Sequence, residues 1–249
     1  MMQKHIPGKE TANGQPLVSI IIATFNAEEH LENCLSSISE QKEKNIQLII
    51  VDGGSSDQTL DIIKKWESTI SAWTSERDNG IYDALNKGVA LATGRWVYFL
   101  GSDDYLLPGF SDLTSLLNDE QTVYYGNSEP ADLLSGAFSA YRLAKYSMNH
   151  QSIIYPAAVF KKYHYELKYP VFADHVLNIK VWGDRQFKKQ FYPITIAHYN
   201  MHGFSSMTED PVFKKDKAAL IRRHFGLSIY LRFIFKRFRK QKEKNSKFY

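Results

Sequence analysis

"NIQLIIVDGGSSDQTLDIIKK", residues 45–65, decides the fold. A β-branched run from Ile46 to Val51 closes on Asp52, Gly53 and Gly54. Ser55, Ser56 and Asp57 then open a segment in which Leu60 and Ile63, with Trp66 beyond them, recur at helical spacing. A short continuous apolar run suits a strand buried on both faces, while Ser and Asp cap helices and Gly-Gly lets backbone approach a ligand. The stretch therefore reads as strand, turn, helix. The same grammar extends outward on both sides. "PLVSIIIATFN" (16–26) reads as a strand, and "AEEHLENCLSSISEQ" as a helix with Leu31, Cys34, Leu35 and Ile38 on one face and acids in its first turn. "ISAWTSE" (70–76) is a short strand, "GIYDALNKGVALA" a helix through Ile81, Leu85, Val89 and Ala92, and "GRWVYFLGSDD" (94–104) the next strand. This alternation predicts an α/β protein, a Rossmann-like, mostly parallel sheet flanked by helices.

Ligands of open parallel sheets bind beyond the carboxyl ends of the strands. Four such ends, "TFNAEE", "VDGGSSD", "SERDNG" and "GSDD", carry acids, glycines and hydroxyls, which predicts one shared site. Asp103 and Asp104 sit side by side at the last of them. Adjacent carboxylates repel unless a cation, an Arg or a proton compensates, and a hard ion such as Mn²⁺ or Mg²⁺ does so through one or two carboxylates plus substrate phosphates. An exposed Asp-Asp turn is the plain alternative for such a pair in isolation. After residue 110 the pattern loosens into a helix at "DLTSLLND", a strand at "TVYYGN", a strand entering a helix at "NHQSIIYPAAVF", a helix at "FADHVLNIKVWG" and a strand at "QFYPITIAHYN".

The chain's net charge of +4 is uneven: residues 214–249 hold 13 Lys/Arg against Asp216 and Glu243, a net +11, and the rest carries −7. From Leu227 to Lys240, Leu227, Tyr230, Leu231, Ile234, Phe235 and Phe238 fall on one helical stripe, with Arg232, Lys236, Arg239 and Lys240 away from it, although Ile229 and Phe233 blur the separation. A basic amphipathic helix of this kind suits an anionic membrane surface. Packing on the main domain is the alternative, and no recognisable nucleic-acid module is present. The polar N-terminus, the single Cys34 and the lack of a membrane-length apolar run predict a cytoplasmic protein, peripheral on the inner face of the membrane.

In order, spacing and residue type, "SIIIATFNAEEHLENCLSSI", "IQLIIVDGGSSDQTLDII" and "SERDNGIYDALNKGVALATGRWVYFLGSDD" resemble the family-2 inverting glycosyltransferases of GT-A fold, with a bacterial surface-polysaccharide subgroup echoed in "NHQSIIYP". The resemblance implies a donor-binding half over 16–110, an acceptor half over 111–210, a flexible N-terminus over 1–15 and the basic helical tail over 211–249. It implies a UDP-sugar donor held by Thr24, Phe25, Asn26, Glu28, Asp52, Gly53, Arg77, Asp78, Gly80, Asn86, Lys87 and Ser102, with Asp52 accepting from the base and Asp83 one helical turn beyond Gly80. Asp104 stands as direct ligand of Mn²⁺ or Mg²⁺, with Asp103 toward ribose or metal-bound water. Asp174, three residues before Leu177, stands as the base that activates an acceptor hydroxyl of a glycan or lipid-linked saccharide, and its alternative is a helix cap. His150, Gln151 and His202 are candidate acceptor-side residues. A nucleotidyltransferase needs a Gly-rich cationic loop after the first strand, which "TFNAEEH" lacks, whereas a non-catalytic sugar-nucleotide-binding subunit stays open at this point.

Overall fold

The computed structural model describes residues 3–5, 14–130, 135–200 and 209–245. The apolar runs become the centre of one nine-stranded sheet. β2 (Val18–Thr24) pairs in parallel with β3 (Ile46–Asp52), aligning Thr24 with Asp52. β3 pairs in parallel with β4 (Ala72–Ser75), and β2 with β5 (Trp96–Gly101). β1 (Gln3–His5) lies antiparallel on the outer edge of β4, a strand with no signal in the sequence pattern.

Beyond β5 the sheet reverses twice. β8 (Ile153–Pro156) runs antiparallel to both β5 and β7 (Thr122–Glu129), so β7 and its parallel neighbour β9 (Lys188–His198) point the same way as β2 to β5. Six carboxyl ends therefore open onto one rim. β6 (Tyr105–Leu106), three residues after β5, pairs with the far edge of β9. The sheet can satisfy both neighbours of this short link only by curling, which brings Asp104 beside the end of β9.

Alternate residues of the central strands feed two cores, as the two-residue period of a strand requires. Ile21, Ile49, Val51, Val97 and Phe99 face α3 (Ile81–Leu91) and α7 (Ala173–Gly183). Ile20, Ile22, Leu48, Ile50, Tyr98 and Leu100 face α1 (Leu31–Ser39), α2 (Thr59–Lys65) and α4 (Gly109–Thr114). Burial on both faces explains why these strands read as unbroken apolar runs. α4 begins before the "DLTSLLND" segment and ends within it, while α5 (Ala140–Lys145), capped by the Ser139 hydroxyl, and α6 (Ala158–Lys162) complete the layers.

α3 approaches the sheet most closely at Gly88, where a β-carbon would meet the Ile21 Cγ2 atom at 2.3 Å and the Val51 Cγ2 atom at 3.4 Å. Alanine gains roughly 1 kcal/mol in helix propensity, but forcing a methyl into a fully packed strand face costs about 1–3 kcal/mol. Gly88→Ala is therefore expected to lower the denaturation midpoint rather than raise it, as urea unfolding will read.

The last helix, α8 (Pro211–Asn245), is two arms joined at Gly226, whose φ of 81° and ψ of 176° are not helical. The second arm doubles back. The Lys217 ammonium lies 5.9 Å from the Phe233 ring and the Arg222 guanidinium 5.9 Å from the Tyr230 ring. In a straight helix, residues 217 and 233 would stand about 24 Å apart. Arg232 stacks at 3.8 Å over Tyr141 at the start of α5, fixing the second arm against the domain.

Candidate active site

Asp52 closes β3, and its buried carboxylate is fully engaged. Oδ2 accepts from the Gly54 and Ser55 N–H groups at 3.0 Å each and from the Ser75 hydroxyl at 2.6 Å, while Oδ1 accepts from the Ser55 hydroxyl. Gly54 takes a φ of 86°, which an L side chain resists, so the tight turn requires this glycine. The tip of β2 is stapled to this turn. Ser56 N–H donates to Asn26 Oδ1 at 2.9 Å, Gln58 N–H to Glu28 Oε2 at 2.8 Å, and Asn26 N–H to the Ser55 hydroxyl at 2.8 Å. Asp57, one residue before the helix cap, binds the Thr59 N–H through Oδ1 and the Glu28 N–H through Oδ2.

Asn26, Glu28 and Asp52 thus build the platform of the site with their side chains. The surface facing outward is Phe25, 64% exposed, with the Thr24 hydroxyl buried beneath and lacking a partner among the described residues. Gly53 lets two side chains close in beside it: a β-carbon there would lie 2.8 Å from Asp78 Oδ2 and 3.4 Å from the Phe25 ring. Asp78 in turn holds the Gly80 N–H at 2.8 Å, and Gly80, at φ 102°, starts α3. Arg77 is exposed beside them. Asn86 and Lys87 are engaged elsewhere. Asn86 grips both backbone groups of Tyr165, at 2.9 and 3.0 Å, and Lys87 pairs with Glu76 at 3.0 Å and Asp83 at 3.3 Å.

At the tip of β5 the carboxylates of Asp103 and Asp104 converge over Gly101, where an added β-carbon would meet Asp104 Oδ2 at 2.4 Å and Asp103 Oδ1 at 2.9 Å. Asp104 is buried and accepts three hydrogen bonds, from Gly101 N–H at 3.1 Å, Gln151 Nε2 at 2.5 Å and Asn200 N–H at 2.8 Å. Asp103 has only its own backbone N–H as a hydrogen-bond donor among the described residues, and Ser102 lies half-buried in the link before it. Burial pushes both carboxyls above the usual carboxylate range, and the Asp104 charge raises Asp103 further. The same negative field, added to burial, drives the Cys34 thiol behind them well up. Two converging carboxylates with no Lys or Arg paired to them among the described residues fit one Mn²⁺ or Mg²⁺ whose other ligands are water and phosphate oxygens. No set of three acidic, His or Cys side chains able to cage a metal occurs among the described residues.

Asp174 occupies the second position of α7 and does not cap it; the cap position belongs to Phe172, which makes no side-chain capping bond. Its Oδ1 accepts from the His175 N–H at 2.7 Å. The Tyr82 hydroxyl lies 3.0 Å from the same oxygen and 2.7 Å from the Val171 carbonyl, and its single proton can serve one of them at a time. Burial raises the Asp174 carboxyl above its ordinary range, with His150, the His175 N–H and Tyr82 pulling partly the other way. The 3₁₀ turn His150–Ser152 ties the two acid groups together. Gln151 holds Asp104, while His150 Nδ1 stands 3.9 Å from Asp174 Oδ2. Burial lowers the His150 imidazole's affinity for a proton, and the two neighbouring carboxylates, Asp174 and Asp103, oppose that. His202 lies outside the described residues.

Sequence patterns gave no role to Ser75, Tyr82, Asn200 or Asp210, all of which shape the site. Asp210 Oδ2 receives the Val171 and Phe172 N–H groups at 3.3 Å each, and its Oδ1 receives the Phe213 N–H at 2.9 Å, so it anchors the entry to α7 and caps α8. Its signal was present as Asp followed by Pro before an apolar-periodic run.

A family model described as Glycosyl transferase family 2 matches residues 19–208. A PGL/p-HBAD biosynthesis glycosyltransferase of Mycobacterium bovis BCG is 35% identical over 211 residues, covering 78% of this chain and 80% of the relative. The putative glycosyltransferase EpsH of Bacillus subtilis is 31% identical over 99 residues, covering 39% of this chain and 29% of its own. Among solved structures, S. aureus TarS aligns with a TM-score of 0.67 at 18% identity, covering 83% of this chain, which spans 39% of that longer protein. Its fragment 1–349 in complex with UDP-GlcNAc aligns at 0.68 and 18% identity, over 84% of this chain and 66% of the fragment. The mannosyltransferase PcManGT of Pyrobaculum calidifontis, in complex with GDP-Man and Mn²⁺, aligns at 0.63 and 16% identity, over 90% of this chain and 66% of its own.

Proposed function

This chain belongs to glycosyl transferase family 2 and is a glycosyltransferase of GT-A type, and on that premise we propose that it moves a sugar, with inversion, from UDP to a hydroxyl of a glycan or lipid-linked saccharide in surface-polysaccharide synthesis. The observation that carries the reading is the convergence, on one rim, of the Asp103–Asp104 pair and Asp174, linked through the turn at His150–Ser152. Residues 16–110 form the donor half. The base of the nucleotide rests against the exposed Phe25 ring, beside Gly53, Asp78 and Arg77, on the platform of Asn26, Glu28 and Asp52. TarS was solved with UDP-GlcNAc and PcManGT with GDP-Man and Mn²⁺, which supports a nucleotide-sugar donor and a divalent cation for this chain too.

Asp103 and Asp104 would hold the cation, which when bound neutralises the charge of the departing diphosphate. Gln151 and the Asn200 N–H fix the Asp104 carboxylate, leaving Asp103 free to turn toward a ligand. Asp174 takes the proton of the acceptor hydroxyl. Its raised affinity for protons suits a base working near neutrality better than an ordinary carboxylate would. Tyr82 and the His175 N–H hold Oδ1, so Oδ2 is the oxygen left to receive the proton.

A base must be ionised, so the transfer rate climbs as pH rises through the elevated Asp174 value and levels off above it. A pH series of initial rates at saturating cation is expected to show this rise, displaced upward from the ordinary carboxylate range. The reading itself is tested by release of nucleoside diphosphate from a panel of sugar nucleotides, with and without EDTA. One UDP-sugar should be turned over in Mn²⁺ or Mg²⁺ and left intact with chelator. Turnover unaffected by chelator would overturn the role given to the acid pair.

Residues 111–210 form the acceptor half in this proposal, with His150 facing the acceptor. No helix among the described residues is long and apolar enough to cross a membrane. The tail instead docks on the anionic inner face of the cytoplasmic membrane, where a lipid-linked acceptor is anchored.

A further inference from the structure

The reversal at Gly226 divides the apolar residues of the second arm between two faces. Ile229, Tyr230, Phe233 and Ile234 are half-buried. Leu227, Leu231, Phe235 and Phe238 are 58, 55, 71 and 65% exposed, a row at i, i+4, i+8 and i+11. Arg232, Lys236, Arg237 and Arg239 accompany this row, and residues 227–239 contain no acid. A cavity of about 570 Å³ opens at the bend, lined by Lys215, Ala218, Ala219, Arg222, Arg223 and Tyr230.

Resting on the reading of a membrane-facing tail, we infer that this notch is a binding site for the phosphate of an anionic lipid headgroup, and that it seats the exposed row in the interface of an anionic bilayer. Lys215, Ala218 or Ala219 and Arg222 follow one another along one helix face, and the two alanines let a phosphate come close to the backbone. Lys215, Arg222 and Arg223 form no salt bridge among the described residues, and Lys215 feels Asp216 only at longer range. The nearby Asp216 is engaged with Tyr169 and Lys168. Three cations line the notch with no salt bridge closing it among the described residues, and a phosphate can pair with them, Arg being well suited to bidentate contact. Tyr230 lines the notch, and Leu227 of the exposed row lies one helical turn before it, at i−3, so the headgroup site and the start of the apolar row adjoin. A row of large apolar side chains flanked by cations lies in the plane of a bilayer, apolar face down.

The experiment is cosedimentation of the full chain with vesicles of phosphatidylcholine alone, or with phosphatidylglycerol as about a third of the lipid. Wild type is expected to bind the anionic vesicles at least about tenfold more tightly than the neutral ones at low salt. R222Q/R223Q is expected to weaken anionic binding by about 25-fold, at about fivefold per cation, and to leave neutral binding unchanged. L231S/F235S/F238S should weaken binding to both. K42Q/K44Q, which removes the same charge from a loop outside the tail, should match wild type on both vesicles. Circular dichroism and nucleotide release confirm folding, since none of these residues belongs to the catalytic rim. If R222Q/R223Q binds anionic vesicles as wild type does while the apolar variant fails, the notch is refuted and the membrane-facing tail stands. An equal loss in K42Q/K44Q refutes the notch as well. If wild type binds neither vesicle, both are refuted.

Discussion

Asp174→Asn is expected to reduce the transfer rate by about 10²–10⁴, the usual contribution of a positioned general base, while leaving donor affinity near wild type. The substitution keeps the size of the side chain, and an amide oxygen can still receive the His175 N–H and the Tyr82 hydroxyl. What it removes is the ability to accept a proton at Oδ2. Because Asp174 is largely withdrawn from solvent and its ionised form is disfavoured there, the variant should melt at the wild-type temperature or slightly above it. Steady-state kinetics with a calorimetric donor titration separates this outcome from a folding defect. A rate within tenfold of wild type would remove Asp174 from the chemistry.

Asp103→Asn and Asp104→Asn are both expected to lower cation-dependent turnover by about 10²–10³, yet to move stability in opposite directions. Asp103 has no donor beyond its own residue among those described and is raised by burial and by its neighbour's charge. Neutralising it relieves repulsion, and the metal-free protein should melt higher. Asp104 faces three donors, Gly101 N–H, Gln151 Nε2 and Asn200 N–H. An amide turns its own N–H₂ toward at least one of them, and a buried mismatch of that kind costs about 1–3 kcal/mol, so this variant should melt several degrees lower. For wild type the raised carboxyls set the pH trend. Groups whose folded value lies above the unfolded one favour the fold at low pH and withdraw that support as pH rises through the folded value. The metal-free protein therefore loses part of its stability on that rise, and a divalent cation with UDP should restore it in wild type but not in either variant.

The legible parts of this molecule are those where one physical demand dominates. Ile20–Ile22, Leu48–Val51 and Trp96–Leu100 are buried on both faces, so composition alone marked them as strands, and their polar ends marked the rim. The curl of the sheet was not legible, because β6 is two residues long and is held by pairing with β9, almost a hundred positions away. Asp52 illustrates the same limit within the site. Position after a strand and before Gly-Gly points to a ligand, but the Ser75 hydroxyl that engages the carboxylate arrives from the neighbouring strand. In the tail, periodicity found the apolar residues but could not divide them between the domain and solvent. That division depends on the reversal at Gly226, whose sequence cue was a glycine following Arg222, Arg223 and His224.

The central claim is that the Asp103–Asp104 pair binds a divalent cation together with the diphosphate of the donor, within reach of Asp174. Crystals grown with Mn²⁺ and UDP, with data collected at the manganese edge, test it most directly. One anomalous peak is expected, bonded to a carboxylate oxygen of Asp103 or Asp104 and to UDP phosphate oxygens, with the uracil against Phe25. UDP bound on that rim with no manganese at the acid pair, or manganese bound elsewhere, would contradict it.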